Sequence, residues 1–369
     1  MFFIFDQSMD KVQKRACSDA GLQTESGIRD GLMSGCKLTV GSVTDFSAEM
    51  RKREHRGIPM ILANYHTHTT RCNHAMGTER EYIETAISEG FKILGFSDHT
   101  PQPYPAWFRS GIRMDMSELY DYTDTLLKLR DEYRDEIKIL IGYEVEYTRK
   151  YFEPLLRELE KYPLDYIIQG QHYIEDEIDG FYAGSWTCSE ERLKAYVDYT
   201  IEGMKTGRFT YMAHPDLINY MGPDDVYCRH MRRIVETAVD MDLPLEINLY
   251  GFADGRWYPS DRFIKMAAEY HPRFVIGCDA HAPWFSRQPE QVEGFTDFLR
   301  EYGIECGDNI SQCEMTPASI GGGNKPVSVA GVNPPLRYTL REDAQGFVSV
   351  LCQLTLTRIP RQVSRARLE

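Results

Sequence analysis

The chain has 369 residues and a net charge of −14, an acidity that argues against a nucleic-acid backbone or anionic lipid as its partner. No apolar run approaches the roughly 20 residues a membrane span needs, and the opening MFFIFDQSMD lacks the cationic stretch of a secretory leader. The nine cysteines are scattered without a C-x-x-C pair, which reads as reduced thiols in a cytoplasmic protein.

Residues 1–59 show little periodicity and read as a poorly ordered N-terminal extension, with Met60 a plausible natural start before ILANYHTH. From 60 to 304 short apolar runs alternate with amphipathic stretches. The first apolar run is 61–64; a helix over 79–89 is stopped by Gly90, and 93–97 (ILGFS) reads as a strand. Ser117 is placed to cap a helix reaching 133, followed by a strand over 137–143, a helix over 152–161 and a strand over 166–170. Ser189 caps a predicted helix to 205, ahead of a strand over 209–213, a helix over 231–240 and the strand LEIN at 245–248. Ser260 opens a helix to 270, then come the strand FVIG at 274–277 and a last helix over 290–301. These make seven βα units over about 245 residues, close to the roughly 250 of a βα barrel. Residues 305–369, with GGG, several prolines and a basic end, read as a poorly ordered C-terminal extension.

The histidines choose between a barrel and an open doubly wound sheet. His66, His68 and His74 follow the first predicted strand, His99 the second, Glu144 the third, His172 the fourth, His214 the fifth, and Asp279 and His281 the seventh. A barrel brings all these strand ends to one face, whereas an open sheet spreads them along an edge. Residues two apart on an extended strand share a side, so His66 with His68, and Asp279 with His281, can each grip one ion. Imidazoles with a few carboxylates suit Zn, Mn or Fe, and nine ligands exceed one ion's needs, so two or three divalent metals are expected. A lone HxH carries little weight; the coincidence of histidines at five strand ends, with Glu144 at a sixth, carries the inference. His55, His230 and His271 fall outside the pattern, Glu146 is a possible substitute ligand, and Glu246 and Asn248 read as supporting or core polar groups.

The ordered set H-T-H (66–68), His74, S-D-H (97–99), G-Y-E (142–144), Q-H (171–172), A-H-P (213–215) and C-D-A-H (278–281) resembles the polymerase and histidinol phosphatase (PHP) family across residues 60–304. The H-P-D and L-E-I-N phrases are most similar to its histidinol-phosphatase branch. The resemblance implies a distorted seven-stranded TIM-like barrel with a trinuclear site. By motif, His66, His68, Glu144 and Asp279 would hold one metal, with Glu144 bridging to a second that His172 and His214 complete. His74, His99 and His281 would hold the third.

The implied activity is hydrolysis of a small phosphorylated metabolite, L-histidinol phosphate, by a metal-bridging hydroxide, with Glu144, Asp98 and His99 at the reacting centre. Asp98 is expected either to assist the leaving group or to orient His99. Arg71 and Arg113 are the expected phosphate contacts. The alternative is another branch of the family, acting on nucleotides or phosphodiesters. An amidohydrolase-type barrel also opens with HxH, but usually carries a bridging Lys where this chain has Glu144.

Overall fold

A computed structural model describes residues 61–306 and the strands at 312–315, 339–342 and 348–351. In chain order the elements are β1 (Ala63–Asn64), α1 (Glu79–Ser88), β2 (Ile93–Phe96), α2 (Leu119–Glu132), β3 (Lys138–Val145), α3 (Phe152–Leu159) and β4 (Tyr166–Gln169). They continue with β5 (Tyr173–Ile174), β6 (Phe181–Tyr182), α4 (Glu190–Lys205), α5 (Asp224–Met241), β7 (Leu245–Asn248), α6 (Leu249–Ala253), α7 (Asp261–Ala268) and β8 (Phe274–Gly277). The last are α8 (Phe295–Glu301), β9 (Ile304–Cys306), β10 (Gln312–Met315), β11 (Thr339–Glu342) and β12 (Val348–Leu351).

This is an α/β protein with a parallel half-barrel sheet. Strands β1, β2, β3 and β4 pair side by side in parallel, as do β7 and β8. The expected strand over 209–213 joins β4 to β7: Thr210 N donates to Ile167 O, Ala213 N to Gln169 O and Glu246 N to Met212 O, and Met212 bridges in parallel to Gln169 and Leu245. Beyond β8, Thr67 bridges Ala280 in parallel, so the residues after β1 meet those after β8. Strand β10 adds antiparallel to the start of β8 and carries β9 on its other side. In a separate compact unit, β11 and β12 form an antiparallel pair. The expected disorder of 1–59 lies outside the described residues, as does most of 305–369.

Local chemistry sets the helix starts. Thr78 and Glu81 form a reciprocal capping box on α1, and the Ser189 and Ser260 hydroxyls accept backbone N–H groups at the starts of α4 and α7. Helix α5 begins at Asp224, seven residues before the expected start, with Pro223 ahead of it and two aspartates in its first turn. The helices pack Tyr82, Ile83, Leu126, Leu155, Val197 and Ile234 against the outside of the sheet. A smaller apolar group inside it unites Ile168, Tyr211, Ala213 and Val275 with Tyr65 and Tyr166. Among the described residues no helix is long and apolar enough to cross a membrane. Cys72, Cys228 and Cys278 are free thiols, whereas Cys188 is disulfide-bonded, which corrects the all-thiol expectation at that position.

Candidate metal centre

The candidate ligands cluster at one end of the sheet: Glu144 is the penultimate residue of β3, His74 lies in the loop after β1, and the others fall within about three residues past a strand or bridge. Glu144 is the hub. Its Oε1 lies 2.8 Å from His214 Nε2 and 3.4 Å from His172 Nε2. Its Oε2 lies 2.9 Å from His99 Nδ1, 3.6 Å from His66 Nε2 and 3.7 Å from His68 Nε2. One carboxylate thus presents one oxygen to each of two histidine sets, as a bridging ligand must.

Asp279 Oδ1 lies 3.4 Å from His66 Nε2 and 3.1 Å from His68 Nε2. The Nε2 atoms of His74 and His281 face each other at 2.9 Å. Ligand-type atoms of three groups fall within 4.8 Å of one another: His66–His68–Asp279, His66–Glu144–His214 and His68–His99–His281. The structure therefore brings all nine expected ligands together, and adds the buried Cys72 thiol beside His74 and His281.

Two of the candidate ligands sit on strained backbone. Asp279 has φ 49° and His214 φ 28°, both in the left-handed region that non-glycine residues seldom enter. Two glycines make room for carboxylates. A Cβ on Gly170 would overlap Glu144 Oε1, and one on Gly277 would overlap Glu246 Oε1.

A layer of polar groups behind the ligands sets their orientation. Glu246 Oε1 accepts from His66 Nδ1 at 2.7 Å and Oε2 from the His214 backbone N–H at 2.9 Å. Asn248 Nδ2 donates to Glu246 at 2.9 Å and to Asp279 Oδ2 at 3.1 Å. Asp98 meets His68 Nδ1 at 3.3 Å, the Thr69 hydroxyl and the His99 backbone N–H. Its carboxylate thus holds the His68 ring, not the His99 ring. Glu146 accepts the backbone N–H of His172 at 2.8 Å and serves that ligand from behind instead of substituting for Glu144.

The two expected phosphate contacts are otherwise engaged. Arg71 pairs with Glu79 and, at 2.7 Å, with Asp121. Arg113 is buried, pairing with Glu146 and, at 3.1 Å, with Glu177. Each guanidinium is already offset by two carboxylates, which departs from the expected role. Of the histidines outside the pattern, His230 pairs with Glu190 at 2.9 Å, and His55 lies outside the described residues.

The donor set fits a multinuclear metal site. His66 Nε2, His68 Nε2, His99 Nδ1, both Glu144 oxygens and Asp279 Oδ1 are buried without a hydrogen-bond partner in the protein. Orphaning so many polar atoms in one place is costly unless cations complete them. The electrostatics agree. Burial raises the Glu144 and Asp279 carboxyls, yet the surrounding imidazoles hold both well below the usual carboxylate range. Burial lowers His66, but Glu246, Asp279 and Glu144 outweigh it and lift the ring to about 10. Burial, with the charge of His68, keeps His281 and His99 well below the ordinary histidine value, although nearby carboxylates pull the other way.

Comparison with known proteins agrees with this geometry. The PHP domain model matches residues 64–249. A probable histidinol-phosphatase of Deinococcus radiodurans is 30% identical over 243 residues, 60% of this chain and 87% of the relative. A second, from Schizosaccharomyces pombe, is 26% identical over 299 residues, 72% of this chain and 94% of the relative. The histidinol phosphate phosphatase of Lactococcus lactis, solved with Zn, L-histidinol and phosphate, shares the fold with a TM-score of 0.51. It is 19% identical and the match covers 67% of this chain and 95% of that one. The chain belongs to the PHP family, and it is a metal-dependent phosphoesterase of that family.

Proposed function

We infer that the chain hydrolyses L-histidinol phosphate to L-histidinol and phosphate. The observation that carries the chemistry is Glu144, whose two oxygens each face a separate set of imidazoles in a buried cluster of orphaned ligand atoms. The substrate reading is supported by the Deinococcus radiodurans and Schizosaccharomyces pombe relatives, matched over 87% and 94% of their own length and named probable histidinol-phosphatases. We read residues 60–304 as the catalytic unit and its sheet as a distorted seven-stranded barrel, a reading supported by the bridges at Met212 and Thr67.

Two or three Zn, Mn or Fe ions would be held by His66, His68, Glu144 and Asp279, by Glu144, His172 and His214, and by His74, His99 and His281. Such ions supply charge neutralisation for a phosphate dianion and a lowered pKa for an attacking water. The chain's own residues do the positioning. Glu246 and Asp98 fix which ring nitrogens of His66 and His68 face inward, by accepting a hydrogen bond from the Nδ1–H of each. Glu146 holds the turn that presents His172.

Phosphate release from L-histidinol phosphate, a nucleoside monophosphate and an aryl phosphate, measured after metal loading, tests the substrate. A preference of at least about 100-fold in kcat/KM for L-histidinol phosphate is expected, since a site built to hydrogen-bond a substrate rejects analogues lacking those groups. Preference for the nucleotide would move the chain to another branch of the family.

A further inference from the structure

We propose that Arg256, held between the hydroxyls of Tyr250 and Tyr258, is the side chain that grips the phosphoryl oxygens of the substrate. The proposal rests on the phosphoesterase reading and deepens it.

Arg256 lies in the segment between α6 and α7, on the same face as the cluster. Its Nη2 donates to Tyr250 Oη at 3.1 Å and its Nη1 to Tyr258 Oη at 3.3 Å, with the guanidinium 4.5 Å over the Tyr250 ring. Those two rings reach the cluster. Tyr250 stacks on the His281 ring at 5.4 Å and 30°, and the Tyr258 ring packs against His214 at 5.8 Å. The arginine is thus anchored to a ligand of the third proposed metal and a ligand of the second. Burial lowers its proton affinity, but Tyr258, Tyr250, Asp254 and Asp279 together raise it, so the Asp279 charge reaches it.

Charge accounting separates it from Arg71 and Arg113. Each of those is matched by two carboxylates. Arg256 has one carboxylate partner, Asp254 at 3.0 Å, whose side chain is 49% exposed, and its other two partners are neutral phenols. Its side chain is itself 32% exposed, accessible to a ligand entering the site. A guanidinium in that state offers its planar fork to a phosphate without first breaking a buried ion pair.

The segment is also held in place before any ligand arrives. Ser260 N donates to Asp216 at 2.7 Å, Trp257 Nε1 to Leu217 O at 2.7 Å, and Arg256 N to Gly251 O at 2.9 Å. The first two contacts tie it to the loop that carries His214. Geometry fixed in advance lowers the ordering cost of binding.

The test is calorimetric titration of inorganic phosphate into metal-loaded protein, with metal content measured on the same samples. Arg256→Ala should weaken phosphate binding roughly 10- to 100-fold with metal content unchanged. Arg256→Lys should recover part of the loss, because a point charge replaces the fork. The variant should also lower kcat/KM by the same factor for L-histidinol phosphate and an aryl phosphate, whose shared group is the phosphoryl. Unchanged phosphate affinity at full metal content would overturn the proposal and leave the phosphoesterase reading intact. So would loss of metal from Arg256→Ala, or an equal loss of phosphate affinity in Tyr258→Phe, since either makes the arginine a brace for the tyrosines. Failure of the metal-loaded wild type to bind phosphate or hydrolyse any ester would sink both readings together.

Discussion

Glu246 Oε1 lies 2.7 Å from His66 Nδ1, while its other oxygen holds the backbone N–H of His214 at 2.9 Å. One buried carboxylate thereby orients candidate ligands of two adjacent proposed metal positions. Glu246→Gln keeps the volume but removes the charge, and should weaken metal binding about 10- to 100-fold. Competition against a chelator of known affinity measures it. Unchanged affinity would mean that packing alone positions His66.

Glu144 should be indispensable, because no other carboxylate among the described residues offers an oxygen to both His214 and His99. Glu144→Ala should lower kcat/KM by roughly a thousand-fold or more, as expected when a shared ligand of several ions is lost. Steady-state kinetics on metal-saturated protein would show it, with metal content expected to fall alongside.

Gly170 gives the same prediction from the other side. Its missing Cβ is the space that Glu144 Oε1 occupies. Gly170→Ala should destabilise the fold by about 1–3 kcal/mol, the usual cost of overpacking, and reduce activity by displacing the carboxylate. Thermal unfolding and kinetics on one preparation check both effects. An alanine variant with wild-type activity would show that the carboxylate can shift at no cost.

Metal uptake should release protons near neutral pH. Burial opposes the His66 charge, yet three carboxylates raise the ring from 6.5 to about 10 in the metal-free protein. Its contribution to metal-free stability is therefore full below pH 6.5 and lost as pH rises toward 10. A metal needs the neutral ring, so its affinity should rise with pH across that same window. Calorimetry in buffers of differing ionisation enthalpy counts the released protons. A count of zero at pH 7 would contradict the predicted His66 charge.

Much of this was legible in the sequence because it depends on chain order. Strands β2, β7 and β8 and helices α1, α4 and α7 follow from period and caps, and the histidines after β2 and β8 point to one face. What escaped depends on contacts between distant segments. Nothing local says that Phe181–Tyr182 folds back on Tyr173–Ile174. Arginines beside a histidine motif look like phosphate contacts until Asp121, Glu79, Glu146 and Glu177 arrive from elsewhere to pair with them. Arg256 carries no motif, and only its placement over Tyr250 marks it.

The most direct test is to strip the protein with a chelator and titrate Zn or Mn back while following phosphate release from L-histidinol phosphate. The account predicts negligible hydrolysis without metal and a rate that rises to a plateau at two to three equivalents per chain. Full activity in the stripped protein, or a plateau at one equivalent, would contradict the cluster built around Glu144.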